Sequence, residues 1–216
     1  MKFKKLSVLF CSLLALTSVM AVSAAEAETI SETEAASEEE STASGADEET
    51  EYPITIQHAY GETVIESKPE RIATVGWENQ DAPLALGIAP VGVSAADYGM
   101  VTENNLHLWT DEAFQELGVD APNVFDDVDG LDFEAISDCD PDVILASYSG
   151  LTQEDYDTLS QIAPVIPYKE NAWQTTWRDQ TIENAEGMGM KAEGEAKVAE
   201  VEQLIQDKLA DYPDLK

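Results

Sequence analysis

DFEAISDCDPDVILASYSGL, residues Asp132 to Leu151, reads as a short helix, a tight Asp-Pro turn, a buried strand and a loop that carries an aromatic side chain. The five residues Val143 to Ser147 are apolar or small and do not alternate with polar ones. A strand covered on both faces has that composition, and the natural setting for such a strand is a parallel sheet. The unit therefore delivers Tyr148 and Ser149 to the carboxyl end of a strand, which is where open parallel sheets hold their ligands.

The flanking sequence repeats the pattern. Ile54 to Ile65 alternates around Tyr60-Gly61 and predicts a hairpin, and Arg71 to Val75 predicts a strand closed by Gly76-Trp77. A helix starting near Asn79 and stopping at Gly87 is followed by a strand from Pro90 to Ser94. Ala95 to Asp129 is looser, with a helix expected from Asp111 to Leu117 and a short strand around Asn123 to Phe125. Thr152, with Asp155 three residues on, forms a capping box for the helix that carries Tyr156, Leu159 and Ile162, and Pro164 to Tyr168 is another strand. This alternation predicts a doubly wound, mostly parallel α/β domain. Thr176 to Ala185 and Ala192 to Ala210 read as helices interrupted by Gly187, Gly189 and Gly194, with Val198, Val201, Ile205 and Leu209 on one face. No strand follows, so the expectation is a chain that stops at a junction near Tyr212 to Lys216.

The beginning of the chain is of another kind. A basic Met1 to Lys5, an apolar Leu6 to Val22 and the small residues Ser23, Ala24 and Ala25 form the pattern of a secretory signal over 1–25, which implies export to the periplasm or the outer face of the cell membrane. Residues 26–51 contain eleven acids and no base among mostly Ala, Ser and Thr. That composition buries too little surface to fold and predicts a solvated linker. Residues 52–216 hold 33 acids against eight bases. Nucleic acid and anionic membrane are poor partners for a domain of that charge, which is expected to be a monomer. Cys139 has no second cysteine beyond the leader to pair with, and Asp138 and Asp140 flank it.

Catalytic and metal chemistry find little support. Ser149-Gly150 after a strand lacks the Gly two residues earlier that a nucleophile elbow requires, because Ser147 stands there. His58 and His107 read as surface or structural histidines rather than catalytic bases. Two histidines and one cysteine give no ligand spacing for zinc, copper or manganese, and the run Asp126-Asp127-Val128-Asp129-Gly130 lacks the Glu of a calcium loop. The expectation is no catalytic residue, no metal ligand and no cofactor. Aromatic residues remain. Trp77 and Tyr148 fall at strand ends, Tyr98 follows another strand, and Trp109, Trp173 and Trp177 lie in loops or at a helix start. Grouped at ligand-side loops, such side chains suit a bulky organic ligand, with Trp77 and Tyr148 the better candidates and Trp109 and Trp177 better read as core anchors.

Three segments, KPERIATVGWENQDAPLALGIAPVGV, DFEAISDCDPDVILASYSGLTQEDYDTLSQIAPVIPY and AWQTTWRDQT, closely resemble the iron-siderophore substrate-binding proteins of ABC importers. The resemblance implies a first lobe over 52–175, an inter-lobe helix over 176–216 and a chain that ends before the second lobe. It implies that Trp77, Tyr148, Ser149 and Trp173 face a ferric siderophore and that Glu134 docks on an ABC permease with its ATPase. Iron would enter only as the chelate. Gram-positive members of that family carry a lipid anchor, and Cys11, in the middle of the apolar run, does not make a convincing lipobox. A cobalamin or haem receptor of the same fold, a doubly wound enzyme and a cell-surface interaction module are the other readings.

Between Arg71 and Lys169 there is no Lys or Arg. This half of the pocket would meet a ligand with aromatic faces and carboxylates. Triply anionic ferric catecholates require cations, whereas neutral or cationic ferric hydroxamates do not, and a cation can stack on Trp77. The expected ligand is of hydroxamate type.

Overall fold

A computed structural model describes residues 50–127 and 129–212. The leader and all of the acidic linker except Thr50 and Glu51 lie outside the described residues, as does the segment from 213 onward. The chain runs β1 (Ile54–His58), β2 (Gly61–Ile65), β3 (Ile72–Thr74), α1 (Asp81–Ala85), β4 (Gly92–Ser94), α2 (Leu108–Glu116), β5 (Val124–Phe125), α3 (Phe133–Asp138), β6 (Val143–Ala146), α4 (Gln153–Leu159), β7 (Val165–Pro167), α5 (Trp177–Gly187) and α6 (Lys191–Ala210).

β1 and β2 form the expected antiparallel hairpin, with His58 opposite Gly61. The other five strands form one parallel sheet in the order β5-β4-β3-β6-β7. The chain builds outward from β3 to β5 on one side, then crosses back to lay β6 beside β3 and β7 beyond it. The order reverses between β3 and β6, and the crevice at the carboxyl ends of those two strands is the topological switch point of the sheet.

The unalternating strand sequences follow from cover on both faces. In β6, Ile144 and Ala146 pack with Ile136, Leu159 and Ala163 on the α3 and α4 side. Val143 and Leu145 pack with Ala185 and Met188 of the α5 turn and with Ile56 and Ile65 of the hairpin. A smaller cluster of Leu84, Val93, Leu106 and Phe114 holds α1 and α2 against β4. The capping box at α4 is formed as predicted, with Thr152 Oγ1 accepting from Asp155 N and the Asp155 carboxylate accepting from Thr152 N. A cap of this kind is worth about 1 kcal/mol.

The structure differs from the sequence reading in three places. The helix expected from Asp111 begins at Leu108, because the extended His107 turns the chain into the first turn earlier. Gly194 does not interrupt a helix. It lies buried inside α6, where a Cβ would run into Ala185 Cβ, so this glycine serves close packing of α6 on α5. Gly187 and Gly189 do mark the break, with Gly189 at φ +71°. The apolar face of α6 is buried at Val198, whereas Leu204 and Ile205 are 55% and 41% exposed.

Candidate functional site

Two loops meet at the switch point, and glycine permits the meeting. Gly76, which follows β3, has φ +80°, and a Cβ on it would stand 2.8 Å from Ser149 Cβ and 3.0 Å from Tyr148 O. Trp77 N donates to Tyr148 O at 3.1 Å, so the loop after β3 is bonded directly to the loop after β6. Gly76 N donates to Ser94 Oγ at 3.1 Å, which adds the end of β4. A third loop, between β7 and α5, is brought in by Trp173 N donating to Ser149 O at 3.2 Å. Trp173 adopts φ +61°, and its indole lies over Gly150, where a Cβ would stand 2.5 Å from the ring nitrogen.

These loops enclose an open cleft of about 420 Å³ bordered by Trp77, Glu78, Tyr98, His107, Asp127 and Trp173. Tyr98 stacks on Trp77 at 4.5 Å between ring centroids, and Tyr148 meets Trp173 edge to face at 5.5 Å. Trp77 also borders a groove of about 510 Å³ on its other side, shared with Tyr148, Asp81, Trp177, Lys197 and Val198.

The carboxyl and imidazole groups lining the cleft are those of Glu78, Asp97, Asp127 and His107. Glu78 pairs with His107 Nε2 at 3.5 Å, and both side chains are largely buried. Burial pushes the Asp127 carboxyl up, opposed by the Ser94 hydroxyl that donates to it and reinforced by Asp126, Asp132 and Asp97. In the groove on the other side of Trp77, burial, with Glu78 adding to it, pushes Asp81 up to about 7. No Lys or Arg is among the described residues lining the cleft. Arg178, the first cation after Lys169, stacks over Trp177 and pairs with Glu202. An aromatic cleft lined by acids suits a bulky organic ligand.

The expected site residues do not all fall together. Trp77, Tyr148 and Trp173 stand at the switch point. Ser149 is 1% exposed and its hydroxyl donates to Ala146 O at 2.7 Å, so the side chain folds back onto the strand it follows. Glu134 is exposed in the first turn of α3, away from the aromatic cleft. Trp109 and Trp177 are not core anchors. They are 54% and 38% exposed, the first stacked on His107 and the second under the Arg178 guanidinium. Cys139 is buried, and burial raises its thiol although Arg71 lies beside it, a neighbour the local sequence does not reveal.

Glu78 and His107, which border the cleft, were missed, whereas Tyr98 stands after a strand as the sequence has it. The signal for Tyr98 is its place after β4, equivalent to that of Trp77 after β3 and Tyr148 after β6. Among the described residues no group of three or more His, Cys, Asp or Glu is placed to hold a metal ion, and no helix is long and apolar enough to cross a membrane.

A family model described as periplasmic binding protein matches residues 72–215. A crystal structure of PiaA from Streptococcus pneumoniae TIGR4 in complex with ferrichrome is 51% identical, with a TM-score of 0.71, and the match covers 74% of this chain and 52% of that one. A second structure of PiaA, an iron uptake ABC transporter substrate-binding protein, is 49% identical with a TM-score of 0.68 over 74% of this chain and 53% of PiaA. The probable siderophore-binding lipoprotein YfiY of Bacillus subtilis is 27% identical over 213 residues, 94% of this chain and 55% of YfiY. The chain thus spans about half the length of the relatives it matches.

Proposed function

This chain belongs to the periplasmic binding protein family, and from that premise we propose that it is the extracytoplasmic substrate-binding component of an ABC importer, capturing a ferric siderophore of hydroxamate type and delivering it to a membrane permease. The observation that carries the reading is the cleft at the switch point, walled by Trp77, Tyr98 and Trp173 and lined by carboxylates without Lys or Arg. A ferric tris-hydroxamate offers a compact, uncharged or cationic exterior that such walls match by stacking and apolar contact. The protein supplies no iron ligand in this scheme, since the chelate satisfies the metal. The likeness to PiaA, crystallised with the hydroxamate ferrichrome, supports the same ligand class. Trp77, Tyr148 and Trp173 are the ligand-facing residues, and Ser149 contributes its backbone. Glu134 is the residue offered to the permease.

The test is equilibrium dialysis of the purified protein against ferrichrome, cyanocobalamin and haemin in parallel. Saturable retention of ferrichrome that is lost in Trp77→Ala supports the proposal. Retention of cobalamin or haem with none of ferrichrome overturns it in favour of a different receptor of the same fold.

A further inference from the structure

We propose that Asn79 is the positioning residue of the cleft, a carboxamide that locks the Trp77 loop to the Tyr148 loop and both to α5 so that the aromatic walls form one body. The inference rests on the reading of that cleft as the ligand site.

Asn79 is completely buried, and it uses every hydrogen-bonding position a carboxamide has. Its Nδ2 donates to Val75 O at 2.8 Å and to Tyr148 O at 3.0 Å, tying the end of β3 to the loop after β6. Its Oδ1 accepts from Tyr148 N at 3.1 Å, from Asn184 Nδ2 at 3.0 Å and from Gln180 Nε2 at 3.3 Å. Ser147 Oγ lies 3.2 Å from the same oxygen and 2.9 Å from Asn184 Oδ1, so its single proton is shared between the two amides. Gln180 also donates to Trp77 O at 2.9 Å.

The chemistry leaves little choice of residue. Aspartate would set a carboxylate oxygen against two carbonyls with no proton between them. Leucine would leave Tyr148 N without its acceptor and strip one acceptor each from Gln180 and Asn184, in a place where buried polar groups cost most when unpaired. Gln180 and Asn184 are four apart, so one face of α5 presents both amides to the hub. Without the carboxamide, the two loops would still touch at Trp77 N and Tyr148 O, and their ties to α5 would be reduced to Gln180 Nε2 on Trp77 O, Asn184 Nδ2 on Asn79 O and Ser147 Oγ on Asn184 Oδ1.

The test labels the four tryptophans with 5-fluorotryptophan and assigns each ¹⁹F signal by a single Trp→Phe substitution. In unliganded Asn79→Ala the Trp77 signal is expected to shift and broaden while that of Trp109, on α2 outside the hub, is unchanged. Ferrichrome affinity should fall at least about tenfold, and in Gln180→Met, which removes one half-buried donor, by about threefold with a Trp77 shift in the same direction. If Asn79→Ala does not fold, Gln180→Met decides. An unchanged Trp77 signal with affinity within about twofold of the parent, or an equal change in all four signals, overturns the proposal. If the parent protein binds no ferric hydroxamate, the functional reading fails, whereas the Trp77 signal of the unliganded variants still decides the role of Asn79.

Discussion

The indole of Trp77 and the ring of Tyr98 lie 4.5 Å apart between centroids with planes 23° from parallel, so one side of the best-placed aromatic in the cleft is covered by a residue that is itself 53% exposed. Such a stack contributes about 0.5–1.5 kcal/mol beyond the area it buries. Tyr98→Ala should leave the fold intact and expose Trp77, seen as red-shifted tryptophan emission with stronger acrylamide quenching. Trp77→Ala should remove that change and weaken ferrichrome binding by about tenfold or more. Equal affinity in Trp77→Ala and the parent would remove Trp77 from the site.

Gly150 separates binding from stability. A methyl there stands 2.5 Å from the Trp173 ring nitrogen, yet Trp173 is 52% exposed and has room to swing aside. Gly150→Ala should therefore change unfolding free energy by less than about 1 kcal/mol while displacing one wall of the cleft. The measurement pairs urea denaturation with ferrichrome titration. A variant that binds as the parent does would show that Trp173 is not a wall.

At Gly194 two effects oppose each other. Alanine in a helix interior gains about 1 kcal/mol over glycine, but the added methyl would collide with Ala185 Cβ in the contact between α5 and α6. Both partners are backbone-fixed, so the helices must separate, and overpacking of this kind costs about 1–3 kcal/mol. Gly194→Ala is expected to melt at a lower temperature than the parent. A higher melting temperature would mean that α6 moves freely on α5.

Glu183 gives a dependence on pH with a definite sign. It is 4% exposed on α5, with Lys169 Nζ 3.4 Å from Oε1 and no hydrogen-bond partner on Oε2. Burial pushes its carboxyl from 4.5 up to about 7, with Lys169 opposing the shift. The folded state thus holds the proton more tightly than the unfolded state. Its contribution to stability is full below pH 4.5 and is lost as pH rises toward about 7. Glu183→Gln lacks that loss, so it should be more stable than the parent at pH 8 by about 1–3 kcal/mol and converge with it near pH 4. Urea denaturation at the two pH values checks this, and parallel curves would contradict it.

The sheet was legible because its strands are covered twice. Val143 to Ser147 could be read without alternation, and Thr152 with Asp155 announced α4 from two residues. The placement of Trp77 and Tyr148 behind their strands was legible because position alone decides it. Tyr98 reads only as an aromatic behind a strand, because the segment from Ala95 to His107 has no period. Its path is set by Ala96 N bonding to Asn105 O and by a bridge between Val101 and His107, pairings that local sequence does not encode. Asn79 read as the start of a helix, a place where asparagine ordinarily caps the backbone. Its true partners lie about 70 and 105 residues further along the chain, at Tyr148 and Asn184. Ser149 was placed in the pocket because it follows a strand, and the turn of its hydroxyl onto Ala146 O depends on side-chain geometry rather than on residue type.

The central claim is that a cleft of aromatic faces and carboxylates selects its chelate by charge. Calorimetric titration of the purified protein with ferrichrome and with a triply anionic ferric catecholate tests it in one experiment. A saturable heat with ferrichrome that is lost in Trp77→Ala is expected, and none with the catecholate. Saturable binding of the catecholate with no heat from ferrichrome would contradict it.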